Sequence, residues 1–306
     1  MDTDHKYLVA AIKQQLSLCL PKHQSVEFYN YALFPTGKLF RSKLISAFYK
    51  DHNLNTITNN QILLCSSIEA HHTYTLLHDD LPCMDDDDER RGKPSTHIKF
   101  GEWQSLLTGD GLLNISYRLL SKIQSSNLNT ILSIYSHALG PKGLIHGQVL
   151  DLSEEMNSNF STLLLTHELK TARLIQVSLL LSYLINSEEI ISYRKCINIA
   201  KLGKSIGIIF QLLDDLSELT QEHIGNHEYS INPWLRFFNQ SLKELDLQTQ
   251  KMNSIIKLYK LEKLLEVVNS HTFNIRGQIE ENCDQISKSI RPKSLSPVMA
   301  LFDRIC

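Results

Sequence analysis

The chain has 306 residues, a formal net charge of −2 and 42% hydrophobic residues, with only 12 glycines and 8 prolines. The near-zero charge excludes a general electrostatic attraction to nucleic acid, so any function based on charge must be local. The low content of glycine and proline favours helices over a turn-rich β fold.

The cysteines and the N-terminus bear on the cellular compartment. The six cysteines are scattered and form no C-x-x-C pair, which predicts a reduced, cytoplasmic protein. The N-terminal stretch begins acidic and lacks the apolar run of a signal peptide. The apolar stretch 174–185 is shorter than the roughly 20 residues of a membrane span and predicts a buried core helix instead.

Apolar residues recur at helical spacing along most of the chain. No run of alternating apolar and polar residues indicates a strand, and no linker rich in Pro, Gly or Ser divides the chain. We expect interruptions at Gly109 and Gly111 and a break near Gly140. The fold class is therefore predicted as all-α, a single domain over 1–306 with about ten helices. The predicted helices are 7–20, 24–34, 38–50, 57–80, 103–123, 127–150, 161–186, 188–219, 233–269 and 271–290.

An acidic motif follows the helix predicted for 57–80. Four residues stand between Asp80 and Asp85, so Asp79 lies six residues before Asp85, a spacing that does not share one face of a regular helix. Pro82 removes a helical hydrogen bond, so the chain is expected to bend there and to return Asp85 to the side of Asp79. The acids over 86–89 are more consistent with a solvated loop tip.

A second acidic cluster lies far downstream, in a predicted apolar helix. Asp214 and Glu218 are four residues apart and share a face with Gln211. Two acid-bearing helices that face each other across a bundle core need cations between them. Carboxylate oxygens of this kind suit Mg²⁺, which is held by a few carboxylates together with water and substrate phosphates.

Arg90 and Arg91 follow the first acidic motif directly. Arginine is permanently charged, and its planar fork of donors binds phosphate oxygens. A surface Arg-Arg pair alone is weak evidence, but beside a predicted metal site it indicates a phosphate ester as the ligand.

Five ordered motifs together resemble those of the trans-prenyltransferases, the polyprenyl diphosphate synthases. Within that family the chain looks most like the bacterial farnesyl diphosphate synthases, over about residues 30 to 220. DDLPCMDDDDERRG resembles the first aspartate-rich motif of the family, and FQLLDDLSE resembles the second. The other matches are GKLFR (37–41), GQVLDL (147–152) and LKT (169–171).

The resemblance implies a fold and a reaction. The fold is an isoprenoid synthase bundle of about ten core helices around a deep central cavity, usually a homodimer. The reaction joins isopentenyl diphosphate head to tail to dimethylallyl or geranyl diphosphate and gives (2E,6E)-farnesyl diphosphate. It proceeds by Mg²⁺-assisted ionisation, condensation and proton elimination, with about three Mg²⁺ ions once substrate is bound.

The family motifs carry roles over to individual positions of this chain. The implied metal ligands are Asp79, Asp80, Asp85, Asp214 and Glu218. The implied isopentenyl diphosphate residues are Lys38, Arg41, His72 and Arg91, and those around the allylic diphosphate are Arg90, Lys170, Thr171 and Gln211. Asp79, Asp85, Lys170 and Asp214 are the implied catalytic residues. The alternatives are a surface charge for Lys38, Arg41 or Lys170, and a buried polar role for His72 or Gln211.

Product length is predicted from the helix that precedes the first motif. Tyr74 lies five residues before Asp79, about 7.5 Å deeper by helical rise. A bulky residue there closes the elongation pocket in the family, which implies a C15 product. Thr75 alone would leave room for a longer, C20 product.

Several departures from the family pattern leave other functions open. Glu218 stands where Asp is usual, Thr36 and Ser42 replace the usual Gly and Pro, and 220–240 contains no lysine. His223 and His227 are the candidates to replace the missing lysines, and the basic C-terminal tail is reduced to Arg304. A non-catalytic subunit or regulator of a prenyltransferase is therefore an alternative. The G-K-x-x-R motif and the two acidic motifs argue against a terpene cyclase.

Overall fold

The computed structural model describes residues 3–52, 56–186, 191–219 and 231–305. The chain divides into two compact units, which we call unit 1 (1–133 and 181–188) and unit 2 (134–180 and 189–306). The described helices are α1 Thr3–Ser17, α2 Val26–Leu33, α3 Phe40–Asp51, α4 Asn59–Asp79, α5 Thr96–Phe100, α6 Glu102–Leu120, α7 Leu128–Leu139, α8 Leu144–Leu152, α9 Phe160–His167, α10 Arg173–Asn186, α11 Tyr193–Glu218, α12 Pro233–Arg236, α13 Phe238–Tyr259, α14 Glu262–Glu281, α15 Cys283–Ser289 and α16 Ser296–Ile305. A 3₁₀ turn covers Glu155–Asn157 and a π turn covers Glu168–Ala172.

The all-α prediction is confirmed, while several boundaries were wrong. α6 runs without a break through Gly109 and Gly111. The helix expected over 233–269 ends at Tyr259, where Lys260 takes the left-handed conformation (φ 52°), and α14 continues past the break expected near 270. The expectation of a single domain over 1–306 stays a prediction.

The expectation of no strand was also wrong. Strands β1 (Glu89–Arg90) and β2 (Lys93–Pro94) form a short antiparallel hairpin, with Arg90 opposite Lys93. Arg91 and Gly92 connect them with φ values of 57° and 72°, the positive pair that a two-residue type I′ turn requires. Two residues per strand are too few for an alternating pattern to appear in the sequence.

Side-chain caps explain where several helices begin. Thr58 accepts a hydrogen bond from the Gln61 amide, 3.1 Å away, at the start of α4. Asn159 accepts from the Thr162 amide at the start of α9. Such caps satisfy amides of the first turn that have no partner within the helix.

In unit 1, α4 is the central element and packs against α1, α3 and α6. Its Leu64, Cys65 and Ile68 are completely buried. A Cβ at Gly109 of α6 would lie 2.3 Å from Nε2 of His78, so the two helices approach closely because this position lacks a side chain.

In unit 2, α11 packs against α13, α14 and the π turn. Gly203 and Gly207 lie one helical turn apart on the face of α11 that meets the preceding segment. A Cβ at Gly207 would lie 2.4 Å from the Cα of Ala172, so the two backbones are in direct contact there.

By length and composition, α11 is the one helix among the described residues that could cross a membrane, and 56% of its apolar window is buried inside the protein. A buried core helix passes the same test, so this is weak evidence for a membrane span. The stretch 174–185 lies within α10, where Leu179 and Leu181 are completely buried, as predicted.

Candidate active site

The first acidic motif forms a tight turn at the end of α4. The amide of Asp85 donates to the carbonyl of Asp79 over 2.9 Å, and the amide of Asp86 donates to Leu81 over 3.2 Å. The expected return of the chain to Asp79 is thus confirmed for the backbone. Asp79 is half-buried and Asp85 is exposed.

The carboxylate of Asp80 is paired with Arg90. Only 3% of Asp80 is exposed, and Nε and Nη2 of Arg90 donate to its Oδ1 over 2.9 and 2.5 Å. Burial raises the pKa of Asp80, and the hydrogen bonds and charge of Arg90 oppose that shift. Arg90 also pairs with Asp87. The metal role of Asp80 and the allylic diphosphate role of Arg90 stay predictions, and sequence analysis missed this ion pair.

The hairpin turn places Arg91 beside the GKLFR motif. A Cβ at Gly37 would lie 2.7 Å from Nη2 of Arg91, so the guanidinium rests directly on the glycine backbone. Arg91 adopts the left-handed conformation, which costs a residue with a side chain about 1–2 kcal/mol. A strained, exposed arginine at a tight turn is typical of a functional position.

A group of positive charges collects around this contact. Burial lowers the pKa of Arg41, the charge of Glu69 opposes that shift, and the nearby charge of Arg91 adds to it. The Nε atom of Arg41 is buried and has no hydrogen-bond partner. Arg41 and Arg91 form no ion pair within the described residues, so this group, with exposed Lys38 one residue from Gly37, suits an anionic ligand.

His72 belongs to the same group. Burial and the charges of Arg41 and Arg91 hold its pKa well below the ordinary value. Its imidazole is therefore neutral near neutral pH, and it keeps one N–H that can donate to a phosphate oxygen.

Glu69 is a buried acid that sequence analysis missed. It is 8% exposed, and its Oε1 accepts a hydrogen bond of 2.8 Å from the hydroxyl of Ser42. Burial raises its pKa, while Ser42, Arg41 and Arg91 each oppose that shift. The Ser42 departure from the family pattern therefore supplies a hydrogen bond to the acid that lies among these arginines.

The burial of His71 leads to a prediction of how the free energy of unfolding depends on pH. Burial and the charge of Arg41 lower its pKa from 6.5 to about 3. The unfolded chain therefore binds this proton at a higher pH than the folded protein does. The contribution of His71 to stability is complete above pH 6.5 and falls by up to about 1.4 kcal/mol per pH unit as the pH drops towards 3.

We expect urea unfolding to show a smaller loss of stability between pH 6.5 and pH 4 in His71→Gln than in the unchanged protein. Each protein is compared with itself at the two pH values, so any effect of the substitution on stability that does not depend on pH cancels. Parallel pH profiles for the two proteins would contradict a neutral, buried His71.

The two residues expected to set product length lie on α4. Tyr74 is 7% exposed, and its ring packs edge-on against those of His71 and His78, with centroids 4.8 and 5.2 Å apart. Burial, followed by the charge of Asp79, raises the pKa of Tyr74 to about 12. Thr75 is half-buried and donates to the carbonyl of His72. The roles of both residues in chain length stay predictions.

The second acidic motif occupies the last turns of α11. Asp214 is half-buried, Glu218 is exposed, and Asp215 is 7% exposed. Burial raises the pKa of Asp215 well above its ordinary range, and the charges of Glu218, Asp214 and Asp151 raise it further. Negative charge therefore accumulates at this end of unit 2.

Thr171, Gln211 and Asp215 form a hydrogen-bonded chain. The Thr171 hydroxyl donates to Oε1 of Gln211, and Nε2 of Gln211 donates to Oδ1 of Asp215, each over 2.7 Å. The other oxygen of Asp215 lies 3.6 Å from Nε2 of buried His167. Burial lowers the pKa of His167 to about 4, so this imidazole is neutral near neutral pH. Sequence analysis missed Asp215 and His167.

Lys170 lies in the π turn between α9 and α10, and its ammonium pairs with Asp151 of the GQVLDL motif. A Cβ at Gly147 would lie 2.5 Å from the Lys170 amide nitrogen, so α8 directly contacts this turn. Single π turns within helices occur frequently at functional sites. Asp151 was quoted in the sequence motif but not predicted as a partner of Lys170.

The metal roles of the carboxylates stay predictions. Within the described ranges, no three His, Cys, Asp or Glu side chains lie close enough together to hold a metal. The half-buried Asp79 and Asp214 nonetheless offer the oxygen donors that Mg²⁺ prefers, and Mg²⁺ usually takes further ligands from water and phosphate.

Some sequence expectations lie outside the described residues. These are His223, His227 and the part of the lysine-free segment over 220–230. Arg304, which remains from the basic tail, donates to Oδ1 of Asp246 over 2.9 Å.

Comparison with known proteins tests the resemblance. The model of the polyprenyl synthetase family matches residues 23–227. The chain belongs to this family. The family expected from the sequence motifs is thereby confirmed.

Curated relatives within the family share about a third of the aligned residues. The farnesyl diphosphate synthase of Buchnera aphidicola is 30% identical over 257 residues, which cover 80% of this chain and 89% of the relative. The farnesyl diphosphate synthase of Bacillus subtilis is 31% identical, over 76% of this chain and 82% of the relative.

Solved structures of related enzymes share the fold. The geranyltransferase from Legionella pneumophila is 25% identical with a TM-score of 0.74, and the match covers 91% of this chain and 96% of that one. The Helicobacter pylori geranyltransferase complexed with magnesium and isoprenyl diphosphate is also 25% identical, with a TM-score of 0.71, over 90% of this chain and 99% of that one. The expected isoprenoid synthase fold class is thus confirmed.

Proposed function

We propose that the protein is a farnesyl diphosphate synthase, which condenses isopentenyl diphosphate with dimethylallyl or geranyl diphosphate. The observation that carries this proposal is in unit 1. There Arg41, Arg91 and neutral His72 form a positively charged group, and the same unit holds the Asp79–Asp85 turn. Family membership and relatives named farnesyl diphosphate synthase support the same reaction.

The positive group of unit 1 binds the diphosphate of isopentenyl diphosphate. Arg91 and Arg41 provide permanent charge, and Arg41 offers a buried Nε–H with no partner in the protein. Lys38 adds an exposed ammonium and His72 adds a neutral donor. Fixing this substrate by its diphosphate orients its double bond for attack on the allylic carbon.

The carboxylates of each acidic motif bind Mg²⁺, and Mg²⁺ binds the allylic diphosphate. In unit 1 the proposed ligands are Asp79, Asp80 and Asp85, and in unit 2 they are Asp214 and Glu218. When bound, Mg²⁺ stabilises the negative charge that develops on the departing diphosphate. We expect about three ions per site with substrate present.

Lys170 and Gln211 add hydrogen-bond donors for the allylic diphosphate, and Thr171 orients Gln211. The Lys170 ammonium is placed by Asp151. The Thr171 hydroxyl donates its one proton to Oε1 of Gln211 and so fixes that amide, whose Nε2 donates one proton to Asp215 and keeps the second for the ligand. Donors fixed in advance stabilise developing charge without reorganisation during the reaction. Arg90, which is paired with Asp80, is a further proposed residue around the allylic diphosphate.

The proposal is tested by measuring release of inorganic diphosphate. We expect release only when isopentenyl diphosphate, an allylic diphosphate and Mg²⁺ are all present, and none after addition of EDTA. Release from the allylic substrate alone would instead indicate a cyclase or a diphosphatase.

Removing the Tyr74 ring is expected to lengthen the product. Tyr74→Ala deletes a large, buried side chain and opens space five residues along α4 from Asp79. We expect chains of C20 or longer, identified by mass spectrometry, in place of C15. Tyr74→Phe keeps the ring and should still give C15. An unchanged C15 product from Tyr74→Ala would place the end of the pocket elsewhere.

We further propose a cytoplasmic homodimer. Ile98 of α5 and Trp103, Leu106 and Leu107 of α6 are apolar side chains with 44–61% of their surface exposed, close together in sequence. An apolar face of this kind marks an interaction surface, and a second copy of the chain is the expected partner. Sedimentation velocity at micromolar concentration measures the mass directly.

A non-catalytic subunit is the second candidate, because 220–240 contains no lysine. In the described part of that segment, Asn232 donates to the carbonyl of Asp215, and the indole of Trp234 donates to the carbonyl of Leu212. These contacts fasten residues 232–234 to α11 without a cation. A folded protein that binds isopentenyl diphosphate but releases no diphosphate would favour this second function.

A further inference from the structure

Lys93 links the β1–β2 hairpin to the end of α2. Its Nζ donates to the carbonyl of Tyr31 over 2.5 Å and approaches that of Phe34 at 3.5 Å. The Tyr31 carbonyl lies in the last turn of α2, where carbonyls lack helical donors. The negative end of the helix dipole also favours a cation there.

Tyr31 makes two further contacts with this hairpin. Its hydroxyl donates to the carbonyl of Pro94 over 2.7 Å. Its ring lies 4.0 Å from the Lys93 ammonium, within the range of a cation–π interaction. The hairpin strand that follows Arg91 is thus attached to α2 at two consecutive residues.

The attachment lies close to Arg91 in the chain. Arg91 occupies the turn two residues before Lys93, and its guanidinium rests on Gly37, three residues after Phe34. Lys93 therefore binds the chain six and three residues before the glycine that Arg91 contacts. Positive charge from Arg91 and Lys99 adds to burial in lowering the pKa of Lys93, which agrees with this close placement.

We propose that Lys93 is a positioning residue that holds Arg91 against the 37–41 segment, so that Arg91 and Arg41 bind one diphosphate group together. The inference rests on the proposed function and adds to it a residue that touches α2 rather than substrate. Without the Lys93 contacts, the strained turn at Arg91 loses one of its attachments. An ångström of displacement is enough to weaken a charged contact that depends on geometry.

The first test compares Lys93→Met with Lys99→Met. Methionine keeps most of the apolar stem and removes the ammonium. Lys99 is a matched control, because its Nζ also lies over the Tyr31 ring, at 4.4 Å, but it is exposed and approaches no backbone carbonyl of α2. We expect Lys93→Met to raise KM for isopentenyl diphosphate about ten- to a hundredfold and Lys99→Met to leave it within about twofold.

The comparison of the two substrates separates positioning from general damage. KM for geranyl diphosphate and kcat at saturating isopentenyl diphosphate should change little in Lys93→Met. A second variant, Tyr31→Phe, removes only the hydroxyl contact with Pro94 and should raise KM for isopentenyl diphosphate less, in the same direction. Lys93→Arg should restore most of the affinity.

The dissociation constant for isopentenyl diphosphate, measured by calorimetry without Mg²⁺, separates this inference from the proposed function. If the unchanged protein bound isopentenyl diphosphate but formed no product, the proposed function would be overturned. The role of Lys93 would then still be tested by comparing the dissociation constants of the unchanged protein and Lys93→Met. Equal affinity and KM in the unchanged protein and Lys93→Met would overturn the inference alone. The inference would also be overturned if Lys93→Met lost affinity equally for isopentenyl diphosphate and geranyl diphosphate. It would be overturned as well if the unchanged protein did not bind isopentenyl diphosphate.

Discussion

Replacing Asp79 by asparagine is expected to lower kcat by about a hundred- to a thousandfold, with the fold intact. Asparagine keeps the shape of the side chain and removes its charge, so the loss reports on the stabilisation of the departing diphosphate. The half-buried position of Asp79 and the return of the Asp85 backbone to its carbonyl place both acids at one turn.

Asp88→Asn is the matched control for this prediction. Asp88 is an exposed acid of the same segment, and its backbone carbonyl accepts a hydrogen bond from the amide of Ser95 just beyond the hairpin. We expect activity close to that of the unchanged protein. The Mg²⁺ concentration for half-maximal rate should rise in Asp79→Asn alone. Equal rates in the two variants would contradict the metal role of Asp79.

Replacing Gly207 by alanine is expected to destabilise unit 2 by about 1–3 kcal/mol. The new Cβ would lie 2.4 Å from both Cα and Cβ of Ala172, and a backbone atom cannot move aside as a flexible side chain can. Ala172 ends the π turn that carries Lys170 and Thr171. The substitution should therefore also raise KM for the allylic substrate.

Gly277→Ala provides the opposite result at another helical glycine. Gly277 lies within α14, and a Cβ there would meet nothing within 4 Å. Alanine is favoured over glycine in an open helical position by about 0.5–1 kcal/mol, so this variant should be more stable than the unchanged protein. Thermal and urea unfolding measure the stability of both Gly207→Ala and Gly277→Ala. Similar stability of the two variants would contradict the tight contact between α11 and the π turn.

Helical periodicity and ordered motifs were sufficient to predict the fold class and family. The spacing of Asp79, Pro82 and Asp85 predicted the turn at the end of α4, because proline limits which backbone path is open. Helix ends were less predictable. The break at Lys260 depends on a left-handed residue that is neither Gly nor Asn, and sequence patterns do not mark such a residue as a stop.

The partners of the charged residues could not be predicted. Asp80 and Arg90 are ten residues apart, and Ser42 and Glu69 are 27 apart, so each pair forms only once the chain has folded. The Arg-Gly dipeptide at 91–92 was the one local signal for the hairpin, although Asn-Gly is the usual form of that turn. Asp215 was adjacent to a predicted ligand, but its burial depends on the packing of α11.

The chain length of the product tests the central claim most directly. Purified protein is incubated with isopentenyl diphosphate, Mg²⁺ and either dimethylallyl or geranyl diphosphate, and the released prenyl alcohols are identified by mass after dephosphorylation. We expect a C15 chain from both starters, abolished by EDTA. A folded protein that binds isopentenyl diphosphate but forms no longer prenyl chain from either starter would contradict a synthase and support the non-catalytic subunit.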